Sequence, residues 1–257
     1  MRVRAWRCAA LALLVGGSVL SAQPLDRLKG RVHGEGGVPV SGADVRIEAL
    51  FGFRGESYAG QRLFTARTDG KGEWALIGFK AGIWMFDASA PDQLPDAIAL
   101  PIGLIMAPSS GIGGLSPPWH PMLRTSPLPP GEIGAALTEA AEAALAGRPN
   151  IVTPLLARLA DTSNADVLAA AGAICLLLRD ATIARPFFRR ALDRDPDSFR
   201  AWLGMGSTAL MQLDYDAAAK AFGEARNRTK DKDERGYLTA AIGDLNKASV
   251  TFNRTGH

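Results

Sequence analysis

Few side chains in this 257-residue chain are of types that make or break bonds, and their spacing limits the chemistry they support. The three histidines stand at His33, His120 and His257. No two of them share the short spacing that puts two imidazoles on one zinc ion, so each reads as solvated or locally bonded, and no metal is expected. Cys175 lies among Ala173, Ile174, Leu176 and Leu177, an apolar setting that suppresses thiolate chemistry. Gly111-Ile112-Gly113-Gly114 has neither the flanking strand and helix nor the lysine that a phosphate loop needs. Asp180 and Asp214 are one sequence period apart, so they mark two equivalent turns and not a catalytic dyad. Asn227-Arg228-Thr229 and Asn253-Arg254-Thr255 fit the glycosylation acceptor, which matters only in a eukaryotic secretory host. The residues carry no enzyme signature, and neither catalytic residues nor a cofactor are expected. The surviving enzymatic rival would pair His33 with Asp44 or Glu48.

Composition narrows the partners. The formal charge of +3 includes Arg2, Arg4 and Arg7, and without them 26 basic residues face 26 acidic ones. A neutral chain gives no support to sequence-independent attraction to nucleic acid or anionic lipid, so no nucleic acid partner is expected. Those three arginines precede an apolar run from Ala9 to Leu20 and then Ser21-Ala22, the layout of a secretory signal over residues 1–22. The run is too short to span a bilayer, cleavage is expected after Ala22, and an uncleaved anchor is the alternative. The mature chain is then periplasmic or extracellular, with no transmembrane segment. Cys8 leaves with the leader, so Cys175 has no disulfide partner.

The elements around these residues come in two kinds. From Arg27 to about Ile102 the apolar period is two: Ala43, Val45, Ile47 and Ala49 alternate with Asp44, Arg46 and Glu48. Further strands are predicted over 62–67, 73–77, 83–89 and 97–102, with turns at Gly34 to Gly37, Asp69-Gly70 with Gly72, and Ala81-Gly82. With a first strand in which Leu28 and Val32 face away from Arg27, Lys29, Arg31 and His33, six short strands with one wet face each predict a small antiparallel β-sandwich over 23–103. Gly30-Arg31-Val32, Gly37-Val38-Pro39-Val40-Ser41-Gly42-Ala43-Asp44-Val45, Thr68-Asp69-Gly70-Lys71-Gly72-Glu73-Trp74 and Ala81-Gly82-Ile83-Trp84 together resemble the carboxypeptidase regulatory-like domain. That resemblance implies a transthyretin-like sandwich used as a non-catalytic accessory module. Its departure is a long loop from Phe51 to Gln61, where Phe51, Phe53 and Tyr58 form either a contact patch for carbohydrate or cell wall, or buried edge packing.

Residues 104–131 predict a Pro/Gly-rich linker: the wider stretch 101–131 holds eight of the sixteen prolines. Helices follow over 132–248, with a frayed tail at 249–257. Across 165–231, Leu168, Gly172, Asp180, Ala184, Phe188, Ala191 and Arg194 superpose on Trp202, Gly206, Asp214, Ala218, Phe222, Ala225 and Arg228 at a spacing of 34 residues. The two sets match in kind, and all but the first pair match in identity. This pattern resembles the tetratricopeptide repeat, with Pro196 at the repeat's usual close and residues 132–159 as a degenerate first unit. The resemblance implies an all-α array of paired helices whose first-helix side chains line a groove. By position these are Asp166, Ala169, Ala173, Leu176 and Leu177, then Arg200, Leu203, Ser207, Leu210 and Met211. Ala169, Ala173, Leu177, Leu203, Ser207, Leu210 and Met211 are the candidate partner surface, suited to an apolar protein or peptide segment. The lysine and asparagine clamp of some relatives is missing, and the same side chains are equally suited to plain packing. The expectation is thus an all-β domain followed by an all-α one, serving as an exported non-catalytic adaptor.

Overall fold

The structure, a computed structural model, describes residues 27–58, 62–77, 79, 81–102 and 121–253. The expected leader with its cleavage at Ala22, most of the expected linker with Trp119 and His120, and the last four residues lie outside them. Strands occupy the N-terminal half and seven helices the C-terminal half.

The alternation at Ala43–Ala49 becomes β2 (Asp44–Phe51), with Val45, Ile47 and Ala49 buried. It pairs with β3 (Leu63–Arg67) on one side and β5 (Gly82–Ser89) on the other. β7 (Asp96–Ile102) adds to β5 and closes a four-stranded sheet ordered β3-β2-β5-β7. A second sheet centres on β1 (Arg27–His33), beside β4 (Glu73–Ile77). Trp74 of β4 reaches Phe86 of β5, 6.2 Å between ring centroids, so side chains of both sheets share one core. The Asp69-Gly70 turn joins β3 to β4 as its chemistry predicts. Asp69 Oδ1 accepts from the Lys71 and Glu73 amides at 2.8 and 2.9 Å, and these bonds hold its carboxyl below the usual range. Gly72 is obligatory there: its φ is +70°, and a Cβ would stand 2.6 Å from the Val32 carbonyl oxygen.

Two expectations about this half are corrected. β5 and β7 have no wet face: every residue of both is buried except half-buried Ser89. Helices pack on β7, and strands buried on both faces lose the alternating pattern. The Pro/Gly-rich stretch is also more than a tether. Met122–Arg124 forms β8, which lies parallel to β1 as the third strand of that sheet, so the β half is not purely antiparallel. Ser126–Pro127 forms β9, paired with β6 (Gln93–Leu94) in a two-stranded ribbon. Prolines 121 and 127 flank a proline-free run, and Pro127 sits on a ribbon edge where its missing N–H is tolerated.

The helices are α1 (Glu132–Leu145), α2 (Pro149–Ala157), α3 (Ala165–Leu177), α4 (Ala181–Arg194), α5 (Phe199–Met211), α6 (Tyr215–Arg228) and α7 (Lys232–Asn253). α7 thus continues through 249–253, where a frayed tail was expected. Caps recur with the sequence period: Asn164 and Ser198 accept from the first amides of α3 and α5, Asp180 and Asp214 from those of α4 and α6. The aligned glycines mark close helix approaches. A Cβ on Gly172 would lie 2.8 Å from the Phe188 ring, and one on Gly206 would lie 2.3 Å from the Phe222 ring. Phe188 also presses on Gly204, so α4 is wedged between α3 and α5. Gly147, Arg179 and Leu213, which follow α1, α3 and α5, all have φ between 61° and 66°. Left-handed residues end helices in this way, and glycine takes that conformation without strain. Arg179 and Leu213 adopt it although they carry side chains.

Candidate functional site

Six of the seven expected groove residues are buried, and β7 packs on the two helices that carry them. Ala169, Ala173 and Leu177 of α3 and Leu203, Ser207 and Leu210 of α5 are all buried, and Met211 is half-buried. Both helices pack on β7. The contact is specific: the Ala99 amide of β7 donates to Ser207 Oγ at 3.0 Å, and the Ser207 hydroxyl donates to the Leu203 carbonyl at 3.0 Å. A helix thereby closes the free edge of the sheet, where unpaired amides would otherwise invite a foreign strand. The groove is filled from within the chain. Aligned positions show which side chains share a helix face but carry no mark of what covers it; the continuous apolar runs Ile83–Phe86 and Ala97–Ile102 were the available signal.

Charge pairs fasten the two halves together around this contact. Arg179 donates to Glu48 Oε2 from Nε at 3.1 Å and Nη2 at 2.5 Å, and also approaches Asp87, which Arg46 contacts from within the sheet. Burial raises the Asp87 pKa, and the two arginines oppose that rise. Arg124 of β8 grips the fully buried Glu234 of α7 with two hydrogen bonds of 2.5 Å, and the Thr229 hydroxyl donates to the same carboxylate. Arg200 of α5 donates to Ser126 Oγ at 2.8 Å and lies 3.6 Å from Asp96, which also accepts the Arg124 amide. A carboxylate buried as deeply as Glu234 is tolerable only with partners of this geometry.

The aromatic loop closes against the helices as well. Phe53 and Tyr58 are buried and Phe51 is half-buried, so no continuous aromatic platform faces solvent. The Tyr215 hydroxyl of α6 donates to the Phe53 carbonyl, and Tyr58 meets Trp84 edge-on at 4.9 Å. Of the two readings of this loop, edge packing is the one realised.

A cavity of about 1040 Å³ opens between the β half and the N-terminal ends of α3 and α5. His33, Glu35, Arg124, Arg200, Lys230 and Asp231 are among its lining. Both arginines are engaged in the internal pairs above, and Asp231 caps α7 by accepting from the Asp233 and Glu234 amides. Burial lowers the His33 pKa, with Arg31 adding to the effect. The charges acting on His33 are Arg31, Arg124, Asp231 and Glu234, not its suggested partners: Asp44 pairs with Arg67, and Glu48 with Arg179. Cys175 is buried, and desolvation pushes its pKa up to about 12. Among the described residues no group of three or more His, Cys, Asp or Glu side chains is placed to hold a metal ion. No helix among them is long and apolar enough to cross a membrane.

No known protein family matches the sequence, and no curated protein matches it significantly. Among solved structures with a detectable likeness is the dioxygenase domain of a dioxygenase carbohydrate-binding protein fusion from the cellulolytic bacterium Streptomyces sp. SirexAA-E. It is 15% identical, with alignment over 42% of this chain and 82% of that one. The TM-score of 0.25 is too low for the likeness to bear on fold or activity.

Proposed function

We propose that this chain is an exported, non-catalytic scaffold that binds a protein partner in the periplasm or outside the cell. In this reading a carboxypeptidase regulatory-like β-sandwich and a short array of tetratricopeptide-like helical units are fused into one block. The seating of β7 across α3 and α5 is the observation that carries it. Arg179–Glu48, Arg124–Glu234 and Arg200–Asp96 brace that contact from three places, so the block presents its outer surfaces in fixed relation. The repeated Gly172–Phe188 and Gly206–Phe222 contacts, and the left-handed residue after each of α1, α3 and α5, support the helical-unit reading. Because the inner faces of α3 and α5 are occupied, the partner is assigned to the outer helix faces.

Two measurements test the role. Mass spectrometry of the protein from its native envelope fraction is expected to give an N-terminus at Gln23. Cross-linking in place, followed by purification, is expected to recover a defined protein partner in fixed ratio. Met1 at the N-terminus would remove free export and leave an uncleaved anchor, and recovery of the chain alone would remove the binding role.

A further inference from the structure

The overall balance of charge conceals a local excess on the outer side of the helical half. α4 carries Arg185, Arg189, Arg190 and Arg194 within ten residues, against one acidic residue, Asp193. At 1.5 Å per residue these four arginines span only about 14 Å of helix. Arg158, at the end of α2, belongs to the same surface, because Arg190 Nη1 donates to the carbonyl of nearby Ala160 at 2.8 Å. Arg158, Arg189, Arg190 and Arg194 are exposed and Arg185 is half-buried, while Ala184, Phe187, Phe188 and Ala191 point inward.

Little within the described residues neutralises this face. Arg46, Arg124, Arg179, Arg200 and Arg228 all form ion pairs within the chain. Arg158, Arg185, Arg189 and Arg194 form none among the described residues, and Arg190 reaches only the fully exposed Asp161, at 4.0 Å. Like charges one turn apart destabilise a helix, so this clustering works against α4 in the free protein and is relieved by an external anion.

We infer that the α2–α4 arginine face docks a carboxylate-rich segment of a partner protein. This inference rests on the protein-binding role proposed above and supplies the partner's chemistry. All five cations are arginines, whose planar forks pair two-to-two with carboxylates. The exposed large apolar residues Val38, Leu63, Ile77, Ile133 and Val250 all lie off α2 and α4, so this face has nothing to insert into a lipid layer. Both α4 phenylalanines are buried, so it also lacks the stacking platform that single-stranded nucleic acid uses.

The test uses the full mature chain and a fluorescein-labelled deca-glutamate peptide, with binding read by anisotropy at about 20 and about 150 mM salt. Saturable binding that weakens with salt is expected. The Arg158→Glu/Arg189→Glu/Arg194→Glu triple variant is expected to lose about tenfold in affinity or more, since several charge pairs reverse together. The Lys220→Glu/Arg226→Glu/Lys247→Glu variant, with the same change in net charge, is expected to stay within about twofold of wild type. Circular dichroism melts check that both variants fold. Absence of binding at low salt, or equal loss in both variants, overturns the inference. So does tighter, arginine-dependent binding to phosphatidylglycerol vesicles or to single-stranded DNA. A cross-linked partner recovered equally by both variants removes this surface and leaves the binding role standing. Deca-glutamate binding at these arginines with no cross-linked partner removes the role instead.

Discussion

Ser207 shows what a single hydroxyl does in this fold. It stands where the sequence pattern suggests a groove residue, yet its oxygen takes the outward amide of Ala99 on the last strand of the sheet. Ser207→Ala is expected to leave that amide buried without a partner, at a cost of about 1–3 kcal/mol. Urea denaturation measures this directly, and a loss near zero would mean that water replaces the hydroxyl. No sequence pattern identifies such a contact, because its two ends lie 108 residues apart and neither belongs to a motif. The Asp69-Gly70 turn, by contrast, was legible, because an aspartate in a turn tends to bond the amide two residues ahead, as Asp69 does with Lys71.

At the scale of elements, the glycines aligned at a spacing of 34 residues were the most informative part of the sequence. Gly172 and Gly206 each lie under the phenylalanine sixteen positions ahead, as expected of mid-helix glycines kept for close approach. Gly204 falls outside the aligned set, yet it meets Phe188 more closely than Gly172 does, with a Cβ position 2.2 Å from the ring. Gly204→Ala gains about 1 kcal/mol of helix propensity and loses about 1–3 kcal/mol to overpacking. Net destabilisation of up to about 2 kcal/mol is therefore expected. Adding Phe188→Leu to Gly204→Ala should cost less than the sum of the two single changes, because the smaller side chain clears the new methyl group. Additive effects in a double-mutant cycle would place the clash elsewhere. The longer strands were readable from alternation or apolar runs and from turn residues, whereas the two-residue strands β6 and β9 were not. β8 was not, because a three-residue strand bordered by prolines has no period to detect.

At the scale of the whole molecule, the sequence order of a β half and an α half was clear, but their mutual burial was not. It depends on ion pairs such as Arg124–Glu234 that join distant segments. His33 lies beside this junction, with Arg31 and Arg124 disfavouring its protonation and Asp231 and Glu234 favouring it. Burial makes the balance unfavourable, so its folded pKa lies below the 6.5 of the unfolded chain. For a base whose folded pKa is lowered, the unfolded chain binds the extra proton. The contribution to stability is thus complete above pH 6.5 and is lost as pH falls from there through the lowered value. The wild-type urea midpoint should fall between about pH 7.5 and about pH 5.5 more than that of His33→Gln. Parallel curves for the two proteins would show that His33 does not sense the junction.

The placement of β7 also bears on how such a protein can be divided or recombined. A fragment covering 132–253 would present Leu177, Leu203 and Leu210 to water, while one ending at 131 would leave the outer edge of its sheet without a cover. Neither piece is expected to stay monomeric in solution, and size-exclusion chromatography of the two fragments, alone and mixed, measures this. Grafting either half onto another protein is therefore expected to succeed only when the matching strand or helices go with it.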